Sequence, residues 1–438
     1  MELYVEMNQK DFEGSRFHFD DPNQKSKVLL YSHDTFGLGH LRRNLAIAEK
    51  LLDSSNEFSV HLLTGSPVIQ QWTVHRKLRV QPMPPVVKTG AERYEAHAKG
   101  QCFGLVKGYR EALILKYVLH VRPDVFLVDH APAGMNGELL ATLALIRREM
   151  PKTRVMLGLR DILDSPAVVR DLWDKQDVHS ILEHAYDDIL VYGSKSLFDV
   201  VESYAISPRV AERVRYCGHV VAAPDANPTT AADAANLSPC WDSALAAGRK
   251  VVLVTAGGGG DGYALMDAYL KALAQMPADR LYSVVVTGPL MSHAESSALR
   301  EIAAGRADVE LVEYTTNLVP SLRAADLVVA MAGYNTSAEI IAERKRAILV
   351  PRAAPRAEQR LRASLLARLG VVQTIEPEAD LTAALTELVP AAIAAPALPD
   401  TVWASLDLNG AERVTDYLLS LRAAASVDAS VEPIQYVA

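Results

Sequence analysis

Short apolar runs recur along the chain, and stretches with apolar residues every three or four positions separate most of them. The first run is KVLLYS at Lys27, followed by helical spacing from Leu41 to Leu52. FSVHLLTG comes next at Phe58. PDVFLVDH at Pro123 lies between one helical stretch and another, GELLATLALIRREM. TRVMLGLRD at Thr153, YDDILVYGS at Tyr186 and RVRYCG at Arg213 continue the series. Such runs alternating with helical spacing predict parallel strands sandwiched between helices.

The alternation stops at HVVAAPDANPTTAADAANLSPC, from His219 to Cys240, whose Ala, Pro, Asn and Thr suit a linker. It restarts with KVVLVTAGGGGDG at Lys250, LYSVVVTG at Leu281, VELVEY at Val309, ADLVVAMAG at Ala325 and RAILVP at Arg346. The fold class is therefore α/β: two doubly wound, Rossmann-like parallel-sheet domains in tandem, facing an interdomain cleft. The expected division is a polar arm over 1–26, a first domain over 27–222, a linker over 223–246 and a second domain over 247–405. A helix over 406–421 and a disordered tail over 422–438 complete it. Ligands in such sheets bind beyond the carboxyl ends of the strands.

Composition narrows the picture. At 438 residues the chain is long enough for two cores, and its formal charge of −8 argues against a general nucleic-acid binder. Three scattered cysteines, Cys102, Cys217 and Cys240, form no metal or disulfide pattern, which suits the cytoplasm. The first 26 residues lack the apolar core of a signal peptide, and no run approaches the roughly 20 apolar residues of a membrane span. FGLVKGYREALILKYVLH, from Phe103, reads as a core-facing helix but leaves peripheral contact with the inner face of a membrane open.

Three loops at carboxyl ends of strands carry the candidate chemistry. The first is YSHDTFGLGHLRRNLAIAEKLL at Tyr31. Gly37 and Gly39 permit a tight turn, and His40 falls at the start of the following helix. The positive helix end disfavours an imidazolium there and keeps the ring fit to take a proton. The bland alternative is a turn histidine bonded to backbone. Asp34 either orients an imidazole or caps a turn. The second loop, TAGGGGDG at Thr255, presents Gly257, Gly258, Gly259 and Gly260 before a helix and suits a phosphate, or is only a tight turn. The lack of an acidic residue at the end of the next strand, LYSVVVTG, counts against an NAD-linked oxidoreductase. The third is MAGYNTSAEIIAERKRAILVP at Met331, with Gly333, Asn335, Thr336 and Glu339. Thr336 and Glu339 share a helix face, so Glu339 suits a ribose diol; Thr-x-x-Glu equally suits a capping box. Downstream, Arg352, Arg356, Glu358, Gln359 and Arg362 suit sugar and phosphate, or a solvated helix face. No metal or cofactor motif is present: there is no H-E-x-x-H, no paired Cys, no G-x-S-x-G and no Asp-x-Asp.

Together the loops resemble those of the GT-B glycosyltransferases of family 28, which include the N-acetylglucosaminyltransferase that completes the peptidoglycan lipid precursor and plant monogalactosyldiacylglycerol synthase. FGLGH stands at the family's first glycine-rich loop, TAGGGGDG at its second, and GYNTSAE at its donor-nucleotide motif. The resemblance implies His40 as the acceptor-side base, the second loop near a nucleotide diphosphate, and Glu339 at the ribose. AEQR stands where the family has two glutamines at the donor sugar; here the first is Glu358 and only Gln359 is kept. GLGHLRRNLAIA also resembles the opening of the nucleotide-sugar hydrolases of pseudaminic-acid synthesis, with Arg42 or Arg43 as the matching basic residue. The loop PPVVKTGAERYEAHAKGQ at Pro84 and the turn DHAPAG, with Asp129 and His130, give the first domain room for an acceptor and favour transfer over hydrolysis. The expectation is a cytoplasmic, metal-independent, inverting glycosyltransferase using a nucleotide-diphosphate sugar, UDP-linked, and an acceptor hydroxyl on a saccharide, lipid or small molecule.

Overall fold

The computed structural model describes residues 25–34, 38–90, 93–98, 100–221, 247–277, 280–315, 318–352, 356–404 and 406–430. The N-terminal domain contributes β1 (Ser26–Ser32), β2 (Phe58–Thr64), β3 (Arg79–Pro82), the hairpin β4 (Val86–Gly90) and β5 (Arg93–Ala96), then β6 (Val125–Asp129), β7 (Arg154–Arg160), β8 (Asp188–Tyr192) and β9 (Val214–Tyr216). Seven of these make one parallel sheet in the order β3-β2-β1-β6-β7-β8-β9. Alternate residues feed two cores. Leu29, Tyr31, Phe126, Val128 and Leu157 enter one face, and Val28, Leu30, Leu127 and Met156 enter the other. This two-sided burial is why the strands read as unbroken apolar runs.

The C-terminal domain repeats the plan with β10 (Lys250–Thr255), β11 (Leu281–Val286), β12 (Val309–Val312), β13 (Leu327–Ala330), β14 (Ala347–Leu349) and β15 (Gln373–Thr374). Their order is β12-β11-β10-β13-β14-β15, again parallel throughout. In each sheet the strand order reverses beside the first strand, between β1 and β6 and between β10 and β13. The reversal opens a crevice at the carboxyl ends, and the loops after those four strands surround it.

Two expectations change. The stretch from Pro84 is not simply a loop: β4 and β5 pair antiparallel, and Val86 packs with Val106 and Met135. The last helix runs Gly410–Ser430, so the disorder expected from Arg422 onward is corrected up to Ser430; 431–438 lie outside the described residues, as do 1–24 of the arm and the linker 223–246. The alanines that suggested disorder favour helix. Val414 and Leu418 seat this helix in the N-terminal core, and Arg422 donates to Ser26 Oγ at 2.8 Å. The chain thus leaves the first domain after β9, builds the second and returns. Where it crosses, the two segments bond to each other: His219 N–H donates to Asp407 O at 2.7 Å and Gly410 N–H to His219 O at 3.0 Å.

Candidate active site at the interdomain cleft

β1 delivers the chain to the cleft, and the Gly39–Ser54 helix carries it away. That helix is buried along Leu41, Leu45, Ala48 and Leu52, which fixes its start against the sheet. His40 is its second residue. β6 ends in Asp129, buried beside it, and His40 Nδ1 lies 2.6 Å from Asp129 Oδ2. Arg43, one helical turn on and equally buried, gives Nη2 to Asp129 Oδ1 at 2.5 Å and Nε at 3.1 Å.

The charges follow from this packing. Burial would raise the Asp129 carboxyl, but Arg43 and His40 outweigh it and hold it well below the ordinary carboxylate range. Burial lowers His40, Asp129 opposes, and Arg43 and Arg160 lower it further, leaving the ring pushed down to about 4. At neutral pH His40 is therefore neutral, Nδ1–H donates to Asp129, and Nε2 keeps its lone pair. Burial is the largest cause of that shift. Asp34 is not the orienting group: it accepts from Thr64 Oγ1 at 2.5 Å and is raised by burial to about 6. Asp129, expected to give room for an acceptor, serves His40 and Arg43 instead. His33 and His130 pack round His40, ring centroids 5.5 and 5.1 Å away, and burial holds both well below their ordinary range.

The opposite wall comes from the C-terminal domain. After β10 the loop Gly257–Gly260 lines the cleft and leads into the Tyr263–Leu273 helix. Gly259 sits at φ 89°, and a Cβ there would lie 2.0 Å from the Thr287 carbonyl oxygen, so the close turn after β11 demands glycine. After β13 the Tyr334–Ala342 helix begins with Gly333 as N-cap and no side-chain cap, which removes the capping-box reading of Thr336 and Glu339. Asn335 Nδ2 donates across the cleft to Gly39 O at 3.1 Å. Glu339 is buried and pairs with Arg42 of the first domain; its Oε2 has no partner among the described residues. Burial raises its carboxyl and Arg42 opposes. Gln359 Oε1 accepts from Arg352 N–H at 3.2 Å, and Glu358 lies 3.5 Å from Arg352, its Oε2 unpartnered among the described residues. Burial of Glu358, Gln359 and Arg362 rules out a solvated face for them.

Gly39, His40, Arg42, Arg43, the glycine loop, Gly333, Asn335, Thr336 and Gln359 all line the one cleft. Asp129, His130, Glu339, Arg356 and Glu358 stand outside its lining, and Gly37 lies outside the described residues. Sequence reasoning missed Arg160, Trp72 and Tyr314 among the lining groups. Arg160 had a readable signal, a charged residue closing the apolar run of β7 at its carboxyl end.

Residues 251–395 match the model of the glycosyltransferase family 28 C-terminal domain. No curated protein sequence matches the chain. Among solved structures, MurG of Acinetobacter baumannii aligns with a TM-score of 0.55 at 12% identity, over 90% of this chain and 99% of that one. CalG4, the calicheamicin glycosyltransferase, gives 0.54 at 16% over 93% and 100%. UGT71G1 of Medicago truncatula, complexed with UDP-glucose, gives 0.59 at 11% over 92% and 99%. These likenesses show the GT-B fold. The hydrolase resemblance of the opening motif is not borne out by them.

Proposed function

We propose, for a chain whose residues 251–395 match a glycosyltransferase family 28 C-terminal domain on a GT-B fold, that it moves a sugar from a UDP-linked donor to an acceptor hydroxyl with inversion at the anomeric carbon. One observation carries the reading: a half-buried, neutral His40, oriented by Asp129, faces a glycine loop across the cleft. His40 Nε2 takes the acceptor's hydroxyl proton as the oxygen attacks the anomeric carbon. Asp129 fixes the ring and stabilises the imidazolium as it forms. The departing diphosphate leaves toward Gly257–Gly260 and the helix start at Tyr334, where backbone N–H groups and the helix end favour negative charge. Direct attack from the opposite side inverts the centre. The diphosphate needs no metal in this scheme, since those groups, with Arg352 on the same wall, meet its charge. Glu339 takes the ribose, and Gln359 with Glu358 meets the donor sugar. Neither the sugar nor the acceptor is named by these groups. A UDP-glucose complex of one structural neighbour supports the choice of nucleotide. The scattered cysteines support work in the cytoplasm.

The test is a nucleotide-release assay on purified protein with UDP-sugars, with and without candidate acceptors. His40→Ala should lower turnover about 10²–10⁴-fold, the usual worth of a general base, while UDP affinity stays within about twofold of wild type by calorimetry. Near-normal turnover of His40→Ala returns the residue to a structural role. Rapid sugar release that no acceptor alters makes water the acceptor instead.

A further inference from the structure

Two groups at the carboxyl ends of β6 and β7, Arg160 in the cleft wall and His130 just behind it, remain unused by this scheme. Arg160 ends β7, lines the cleft and is half-buried, yet among the described residues its side chain makes no hydrogen bond or ion pair. Its neighbours are committed: Arg43 to Asp129, and Arg362 to Asp161. Arg42 pairs with Glu339, and Arg352 lies 3.4 Å from Asp261. Glu358 favours the charge of Arg160 from the opposite domain, but burial and the charges of Arg43, Arg356 and Arg362 outweigh it. A cation left unpaired in a partly dry cleft is costly unless a ligand meets it.

His130 is the second group. It follows β6 at φ 68°, a left-handed backbone that a non-glycine residue adopts only under constraint. Its own N–H holds Gly158 O at 2.8 Å, which ties it to β7 two residues before Arg160. The ring stands 5.1 Å from that of His40, and its buried Nδ1 has no partner among the described residues. Arg160 and Arg356 lie close enough to lower the ring's proton affinity beyond the effect of burial. Asp129 and Asp161, at the same strand ends, are already paired with arginines.

We propose that Arg160 and His130 form an oxyanion subsite on the acceptor side of the cleft, so that the acceptor carries a carboxylate or phosphate group close to the hydroxyl that His40 activates. The inference deepens the transferase reading and rests on it for the word acceptor. Position favours the acceptor over the donor diphosphate. Arg160 stands on the same sheet end as Asp129 and His40, whereas the donor phosphates have the glycine loop and a helix start on the opposite wall. Arg160 supplies a planar, fixed cation suited to either oxyanion, and neutral His130 adds one ring N–H.

Calorimetric titration of inorganic phosphate and, separately, acetate into the full chain saturated with UDP tests the subsite. Wild type should bind phosphate, acetate or both, and which of them binds distinguishes the two anions. Arg160→Gln should weaken that binding about tenfold or more, the worth of charge-assisted hydrogen bonds. Arg160→Lys should retain part of it, and both variants should bind UDP as wild type does. Melting of each variant without ligand verifies its fold. Equal anion binding by wild type and Arg160→Gln, or none by wild type, overturns the subsite. A tenfold loss of UDP affinity in Arg160→Gln also overturns it, by giving the cation to the donor. If wild type fails to bind UDP, the UDP-linked donor of the proposed reading falls. The anion titrations without UDP then still decide the subsite, by the same comparison of wild type with Arg160→Gln.

Discussion

A histidine held dry beside a carboxylate trades basicity for availability. With His40 at about 4 the ring is unprotonated across the neutral range, and Asp129 recovers some driving force by pairing with the imidazolium as it forms. The acid limb of kcat/KM should accordingly fall near pH 4 rather than 6.5, with activity lost as pH drops through that value and the ring charges. Asp129→Asn removes the acceptor of Nδ1–H and frees the ring to take the wrong tautomer, so turnover should fall by at least about a hundredfold. Initial-rate pH profiles of wild type and variant measure both effects, and an acid limb near 6.5 would mean a solvated ring. Of this site, His40 was legible as Gly-x-Gly-His before a helix. Its partner was not. Asp129 lies 89 positions away, and nothing local in DHAPAG says that its carboxylate points back to β1.

Helices from the two domains meet through Arg42, on Gly39–Ser54, and Glu339, on Tyr334–Ala342. If Glu339 receives both ribose hydroxyls, one on each carboxylate oxygen, Arg42 gives up Oε1 to the second. Arg42→Ala should then tighten UDP binding, because no cation has to be displaced, whereas Glu339→Ala should weaken it about tenfold or more. Calorimetry on the two variants separates this exchange from a purely structural pair, for which both changes would weaken binding alike. At this scale the alternation of buried strands and helices was plain in the sequence, because two-sided burial makes long apolar runs. The short edge strands β3 and β15 escaped it, being only four and two residues long and partly exposed. The β4–β5 hairpin was hidden by the polar residues that alternate with its apolar ones.

The two domains are held together by a buried ion pair as well as by the chain. Asp161, just after β7, takes both Nε and Nη2 of Arg362 at 2.8 and 2.6 Å, and Arg362 Nη1 continues to Ala332 O. Burial would raise the Asp161 carboxyl, but Arg362 and His219 hold it well below the ordinary range. That contribution to stability is complete above the unfolded carboxylate value near 4 and is lost as pH falls through the lower folded one. Asp161→Asn leaves a buried guanidinium without its charge partner, and should cost about 3–5 kcal/mol in denaturant unfolding. A loss within about 0.5 kcal/mol would show that the interface does not depend on the pair. No sequence pattern announced it, since its members stand 201 positions apart. The crossing between domains has a mechanical meaning too. Because the outgoing and returning segments are laced together at His219, Asp407 and Gly410, they act as the spine of a book rather than as two loose strings. Such a spine should confine opening to one axis, so a ligand that draws the covers together on one page would also set the facing page.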